Sequence, residues 1–271
     1  MKVSNSNPFM RNEIIYLHTS EFLENQRIAG RVAGGALNLL ENMVKQGTTK
    51  TMKELDKLAE EFIRDNNCKP TFLGYKNFPA SVCISINNQL VHGVPTDRVL
   101  ENGDLVSFDL GATYKGSIGD TAITCIYGEP KSRAHIKLIE ATKEALQKAI
   151  EAVQVGKRIG VIGNAIWKSV GGKYGVVVRY GGHGIGIDKD KNGIPHAPPF
   201  ISNRSTPEDG IRIQENMSIA IEPLLVIGNN TDTEVGDDGW TVYTKNISAH
   251  EEHTIFIHKD SIEIITARGI N

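Results

Sequence analysis

Four carboxylates and one histidine of this chain lie inside runs that otherwise read as core strands or tight turns. Asp109 and Asp120 sit on the two arms of FDLGATYKGSIGDTAIT, residues 108–124. His183 is set among glycines in YGGHGIG, residues 180–186. Glu222 interrupts MSIAIEPLLVI, residues 217–227, and Glu252 enters SAHEEHTIFI, residues 248–257. Each alone has a plain explanation: a strand end at the surface, a solvated edge residue, a structural histidine in a Gly-rich turn. Together they constrain the fold, because ionised carboxylates are rarely buried unless paired or bound to metal. The first pair sharpens the point. Closing the hairpin with a four-residue loop, Thr113 to Gly116, sets Asp109 directly opposite Asp120. Like charges facing each other across a strand pair destabilise the sheet, so positive charge is expected between them.

Charge balance names the class of partner. Four carboxylates and a neutral histidine are neutralised by two divalent cations. In a dinuclear site the metals lie roughly 3.5–4 Å apart, with carboxylates bridging them. One nitrogen against four carboxylates makes a hard, oxygen-rich set, which suits Mn, Fe, Co or Zn and lacks the thiolates of a structural zinc site. Two such cations ionise a shared water near neutral pH, so the expected chemistry is hydrolysis.

The rest of the chain supplies a frame with a repeat in it. Residues 20–46 have the apolar spacing of an amphipathic helix, with Ile28, Val32, Ala36, Leu39, Leu40 and Met43 on one face and Thr19 or Ser20 as its cap; a second helix spans Met52 to Arg64. Short strand-like runs follow at 81–86, 105–109 and 117–126. The order then recurs: helices at 134–155 and 159–170, strands at 176–179, 217–227, 240–244, 254–257 and 262–266. Ala36-Leu37, Val44 and Gly47 return as Ala145-Leu146, Val153 and Gly156, each 109 positions later, and Glu101-Asn102 before Asp109 is echoed by Glu215-Asn216 before Glu222. The reading is an α/β (α+β) chain of two similar halves, each a helix pair with antiparallel strands, with a site at the seam. Residues 1–18 are expected to be an N-terminal lead-in, its first dozen residues loosely held, and residues 19–271 a single catalytic domain.

Composition matters mainly for what it excludes. A net charge of −2 and 6% aromatics give no basic footprint and no stacking platform, so no direct nucleic-acid requirement is expected. No apolar run is long enough to span a bilayer, no secretory h-region opens the chain, and three cysteines without a CxxC pair fit a reducing compartment. A cytoplasmic monomer without membrane contact is the expectation. Several motifs are decoys. His250-Glu-Glu-His253 is one residue short of HExxH and lies in strand-like surroundings, GGHGIG is not GxGxxG, and neither GxxxxGK[ST] nor GxSxG occurs.

With these residues assembled, the chain resembles type I methionine aminopeptidases, members of the pita-bread metallopeptidases. The resemblance runs from about Ser20 onward and is carried by RIAGRVAGGAL, FPASVCISINNQLVHGVP, FDLGATYKGSIGDTAIT, GGHGIG, IAIEP, DGWTVYTKN and SAHEEHTI. It implies a pita-bread fold, two pseudo-twofold-related halves with strands in front and helices behind. It also implies a role for each residue: Asp109 on one metal, His183 and Glu222 on the other, Asp120 and Glu252 as bridges. The family reaction removes the initiator methionine from nascent polypeptides whose second residue is small. Glu222 is then general base and proton shuttle as well as ligand; His92, near the substrate amide, and His196, hydrogen-bonded to the substrate backbone, are the other catalytic and substrate-binding residues. Tyr75, Phe78, Cys83 and Trp240 form the methionine pocket. Nascent polypeptide N-termini are the implied partners, with the ribosome as a candidate docking platform.

The chain departs from the family pattern in three places. IGIDKDKNGIP is longer than the usual spacing between the two site histidines, Glu251 stands where an aromatic is common, and Phe78 replaces a frequent tyrosine. Three rival readings remain at this level: a proline-type aminopeptidase of the same fold, a non-catalytic module that binds RNA or ribosomes, and a mononuclear metal-binding protein without turnover.

Overall fold

The computed structural model describes residues 2–4 and 14–268. Four helices lie among them: α1 (Ser20–Lys45), α2 (Met52–Asp65), α3 (Arg133–Ala152) and α4 (Gly160–Val170). The first three start where side chains satisfy free backbone N–H groups. Thr19 caps α1 by accepting from Phe22 N, Thr51 and Glu54 form a reciprocal capping box on α2, and Ser132 accepts from Ala134 N at the start of α3. The strands are β1 (Lys2–Ser4), β2 (Ile14–Tyr16), β3 (Lys69–Pro70), β4 (Val82–Ile86), β5 (Gln89–Val91), β6 (Leu105–Tyr114), β7 (Ser117–Ile126), β8 (Tyr174–Val176) and β9 (Gly181–Ile187). They continue as β10 (Gly193–Ser202), β11 (Ser218–Ile221), β12 (Leu224–Ile227), β13 (Thr233–Val235), β14 (Val242–Thr244), β15 (Ser248–His250), β16 (Glu252–Ile257) and β17 (Ile262–Ile264).

The main sheet runs β10-β9-β11-β16-β7-β6-β3, with β4 also on β6 and β17 on β16, and its pairings are antiparallel. Its centre is the β7/β16 seam. To one side lies the pair β7, β6 from the first half; to the other lies β16, β11 from the second. The expected two-part architecture is therefore present, and the repeat has a packing basis. Ala36, Leu37 and Val44 are buried on α1 as Ala145, Leu146 and Val153 are at α3. Each half has its own core. Leu37, Leu40, Leu55 and Ile63 pack with Ile84, Phe108 and Leu110 in the first; Leu138, Leu146, Ile162 and Ile166 pack with Ile219, Leu225 and Ile255 in the second.

One close approach sets the distance between α1 and the sheet. A Cβ on Gly119 of β7 would lie 2.5 Å from Gly30 Cα of α1, and one on Gly30 would lie 2.2 Å from Ile265 O. Only glycines allow the helix axis so near a strand. The seam itself is tied by hydroxyls. Thr254 Oγ1 accepts from Asp120 N and donates to Asp120 O, Thr121 Oγ1 donates to Glu252 O, and Thr124 Oγ1 donates to His250 O while accepting from His250 N.

Two expectations are corrected. The segment 217–227 is not one strand: it breaks at Glu222-Pro223, and β11 and β12 belong to different sheets, as a proline without an N–H favours. YGGHGIG is strand β9 rather than a turn; its glycines admit neighbouring backbone, a Cβ on Gly184 lying 2.1 Å from Pro198 O. The end of the lead-in packs onto the fold. Ile15 is buried in the second core, and the His18 ring stacks on Phe22 at 3.6 Å with Nε2 2.9 Å from Ile185 O. Residues 1 and 5–13 of that lead-in lie outside the described residues. The segment between the two site histidines proves to be a hairpin, β9–β10, closed by an exposed turn in which Asp188 accepts from the backbone of Asp190 and Asn192.

Candidate metal centre

The turn of the β6–β7 hairpin decides where its two acids go. Lys115 and Gly116 have φ of +46° and +81°, and Tyr114 pairs with Ser117. This is a two-residue hairpin turn with both central residues at positive φ, not the expected four-residue loop. The register therefore moves by two residues: Asp109 faces Ala122, and Asp120 faces Gly111. A shift of two keeps both acids on one face of the sheet. They become diagonal neighbours, with Gly111 and Ala122 leaving room between them.

The neighbouring strands complete the row. Cys83 of β4 pairs with Asp109 of β6, Asp109 with Ala122 of β7, and Ala122 with Glu252 of β16. Glu222 follows β11, and His183 of β9 lies opposite Ala220 of that strand. One residue from each of five places in the chain thus meets across the seam between halves. Ligand atoms of Asp109, Asp120 and Glu252 lie within 4.8 Å of one another, as do those of His183, Glu222 and Glu252. Asp120, His183 and His196 form a third such group. His183 Nε2 is 3.7 Å from Glu222 Oε1 and 3.9 Å from Asp120 Oδ2, while its Nδ1 is 3.2 Å from Gly184 O. With Nδ1 donating to that carbonyl, Nε2 keeps its lone pair toward the carboxylates.

The electrostatics are those of a cation site. Asp109 Oδ1, Asp120 Oδ1 and Glu252 Oε1 are buried and have no hydrogen-bond partner in the protein. Burial, together with the neighbouring carboxylates, holds Asp109 and Glu252 well above the usual carboxylate range. Burial raises Asp120 to about 7, and burial with the Asp120 charge raises Glu222 to about 8. Burial lowers His183 to about 4, so its imidazole is neutral. Four crowded carboxylates with orphaned oxygens and one neutral imidazole fit divalent cations: such ions relieve the mutual repulsion and fill the missing bonds.

The carboxylates form the floor of a cavity of about 270 Å³. All of the expected substrate-side residues also line it: Tyr75, Phe78, Cys83, His92, His196 and Trp240. Phe78 and Cys83 are buried and cluster with Phe72, Ala80 and Trp240 as a separate apolar wall. Trp240 meets Phe78 edge-on at 5.1 Å. The His196 ring lies 4.5 Å from that of His183 and 5.2 Å from that of Tyr75. His92 is held at φ +58°, with its ring edge-on to Tyr180 at 5.8 Å and to Trp240 at 6.4 Å. Positive φ is uncommon for a non-glycine residue and marks a side chain aimed by its surroundings.

Sequence reading missed three residues here. Phe72 and Tyr180 line the cavity, and nothing in an isolated aromatic announces that. His250 lies 3.6 Å from Glu222 Oε2. In the sequence it belongs to the HExxH decoy; the chain breaks at Glu251 between β15 and β16, strands of different sheets, and only that packing brings it to Glu222. Glu251 points the other way, where its carboxylate accepts from Thr124 N and lies 3.5 Å from Arg268 Nη2. That charge pair explains how an acid replaces an aromatic at a buried position.

Comparison with known proteins agrees with this geometry. Residues 24–259 match metallopeptidase family M24. The chain is 43% identical over 256 residues to the methionine aminopeptidase of Mycoplasma capricolum, covering 93% of this chain and 98% of that protein. The crystal structure of methionine aminopeptidase from Rickettsia prowazekii superposes with a TM-score of 0.86 at 36% identity, covering 93% of this chain and 100% of that one. A prolidase from Pyrococcus furiosus shares the fold at 22% identity and a TM-score of 0.69, with 65% of its chain covered.

Proposed function

Because the chain belongs to metallopeptidase family M24, we infer that it is a methionine aminopeptidase, a metal-dependent hydrolase that removes the initiator methionine from polypeptides with a small second residue. The observation that carries this reading is the convergence of three partnerless buried carboxylate oxygens, those of Asp109, Asp120 and Glu252, at the floor of a cavity walled by Phe78, Cys83 and Trp240.

In this proposal Asp109, Asp120, His183, Glu222 and Glu252 hold two divalent cations, and the hard donor set suits Mn, Fe, Co or Zn. When bound, the cations supply Lewis acidity and an ionised water near neutral pH. The protein's own groups do the rest. The apolar wall takes the methionine side chain, where aromatic rings and a neutral thiol suit a thioether. Burial and the nearby carboxylates keep the Cys83 thiol protonated. His92 and His196, which both line the cavity, orient the scissile amide. Glu222 takes the proton of the attacking water and returns it to the leaving amine, the role its position beside both His183 and the cavity allows. Nascent polypeptide N-termini are the proposed substrates, with the ribosome as the platform that presents them. A cytoplasmic setting fits three buried free cysteines and the finding that no helix among the described residues is long and apolar enough to cross a membrane.

The test is release of methionine from Met-Ala-Ser by protein loaded with Mn²⁺ or Co²⁺. Glu222→Gln should lower kcat by about 10²-fold or more. Metal-loaded protein that leaves this peptide intact and cleaves Xaa-Pro peptides would replace the proposal with a proline-type activity.

A further inference from the structure

His250 is 1% exposed, and neither of its ring nitrogens has a hydrogen-bond partner in the protein. A buried imidazole in that state needs an explanation. Its backbone cannot swing away, because Thr124 Oγ1 accepts from His250 N at 2.9 Å and donates to His250 O at 2.7 Å. Its Nε2 lies 3.6 Å from Glu222 Oε2 and 4.0 Å from Glu252 Oε2. His183 approaches the other oxygen of the same glutamate, Oε1, at 3.7 Å. The Glu222 carboxylate is thus placed between two imidazoles, one at each oxygen. His250 stands at the Glu222 oxygen that His183 does not approach.

We propose that His250 is a positioning residue for Glu222, donating its Nε2–H to the carboxylate oxygen that faces away from His183. The bond requires the Glu222 side chain to turn so that the 3.6 Å separation closes to an ordinary N–H···O length. That bond fixes the carboxylate plane, so that the remaining oxygen serves as ligand and proton carrier in one orientation. Partners of this kind behind a ligating carboxylate typically change metal affinity or activity by about 10–100-fold. The proposal rests on the reading that Glu222 and His183 hold a divalent cation.

The experiment compares wild type with His250→Gln, which keeps a side-chain N–H at similar reach, and with His250→Leu and His250→Ala, which have none. Chelator-stripped protein is titrated calorimetrically with Mn²⁺, the visible spectrum is taken with Co²⁺, and kcat and KM are measured on Met-Ala-Ser. The donor-free variants should bind Mn²⁺ about 10–100-fold more weakly and lose kcat with KM nearly unchanged. His250→Gln should recover most of both, with the wild-type Co²⁺ spectrum. Wild-type Mn²⁺ affinity in His250→Leu or His250→Ala would overturn the proposal. So would a His250→Gln protein that melts like wild type yet is as impaired as His250→Leu. A Co²⁺ spectrum altered by His250→Gln in the manner of a lost nitrogen ligand would make His250 a direct ligand and also overturn it. Wild-type protein that binds no Mn²⁺ would instead remove the metal reading itself, and this role with it.

Discussion

Replacing Asp120 with asparagine should stabilise the protein without metal and destabilise it with metal. Asp120 has ligand atoms within 4.8 Å of those of Asp109 and Glu252. Two unit charges at that separation repel by about 3.5 kcal/mol at an effective dielectric of about 20. Two such neighbours, fully ionised at that separation, sum to about 7 kcal/mol, which the site lowers by retaining protons. Asp120 Oδ1 has no hydrogen-bond partner, and the backbone bond from Thr121 offsets only part of the cost of burial. A net relief of about 2 kcal/mol is expected for Asp120→Asn in stripped protein near pH 8. At roughly 2–4 °C per kcal/mol for a domain of this size, the variant should melt about 4–8 °C above wild type. Adding metal at about a hundred times its dissociation constant stabilises wild type by about 2.7 kcal/mol for each site filled. The variant, lacking the charge proposed to bridge the cations, should gain little. Differential scanning fluorimetry with chelator and then with Mn²⁺ should show the two melting temperatures exchange order. A variant that melts below wild type in chelator would show that Asp120 is structurally paired, and an equal gain from metal in both proteins would show that it is no ligand.

Three further outcomes follow from other parts of the fold. Glu263 receives two hydrogen bonds from Arg27 of α1, at 2.7 and 2.8 Å, and lies 2.8 Å from His258 Nε2. The Arg27 bonds above all hold its carboxyl at about 2, so this stabilisation is complete above the unfolded value of about 4.5 and is lost as pH falls through 2. Allowing for partial exposure, Glu263→Gln should cost about 1–2 kcal/mol in denaturant melts at pH 6, the difference narrowing below pH 4.5; a pH-independent difference would contradict this. Gly119→Ala should cost about 1–3 kcal/mol through the clash with Gly30 Cα and, since Asp120 is the next residue, weaken metal binding as measured by calorimetry. His196→Ala should lower kcat/KM for Met-Ala-Ser on the order of 10²-fold, and full retention would show that the longer β9–β10 hairpin displaces this residue from the family role.

Much of the site could be read from residue types alone. Acids inside apolar strands are conspicuous because their burial demands a compensating charge, and the resemblance to a known family placed Asp109, Asp120, His183, Glu222 and Glu252 before any geometry was known. Helices were legible too: apolar spacing, Thr51 with Glu54, and the recurrence of Ala36-Leu37 as Ala145-Leu146 are local signals that packing reinforced. Strands were less so. Glycine-rich β9 looked like a turn because its glycines serve neighbouring backbones rather than its own bend.

What the tertiary structure alone decided was register and juxtaposition. The residues Thr-Tyr-Lys-Gly suit a four-residue loop as well as a two-residue turn, and only the positive φ of Lys115 and Gly116 shows that Asp109 faces Ala122 rather than Asp120. Whether His250 is a decoy or a neighbour of Glu222 depends on a break at Pro223 and a seam between β7 and β16. The chemistry was written in side chains that carry their character anywhere in the chain. Their mutual orientation depends on pairings between segments far apart in sequence, where a shift of one residue turns a side chain to the other face, and no local pattern encodes that choice.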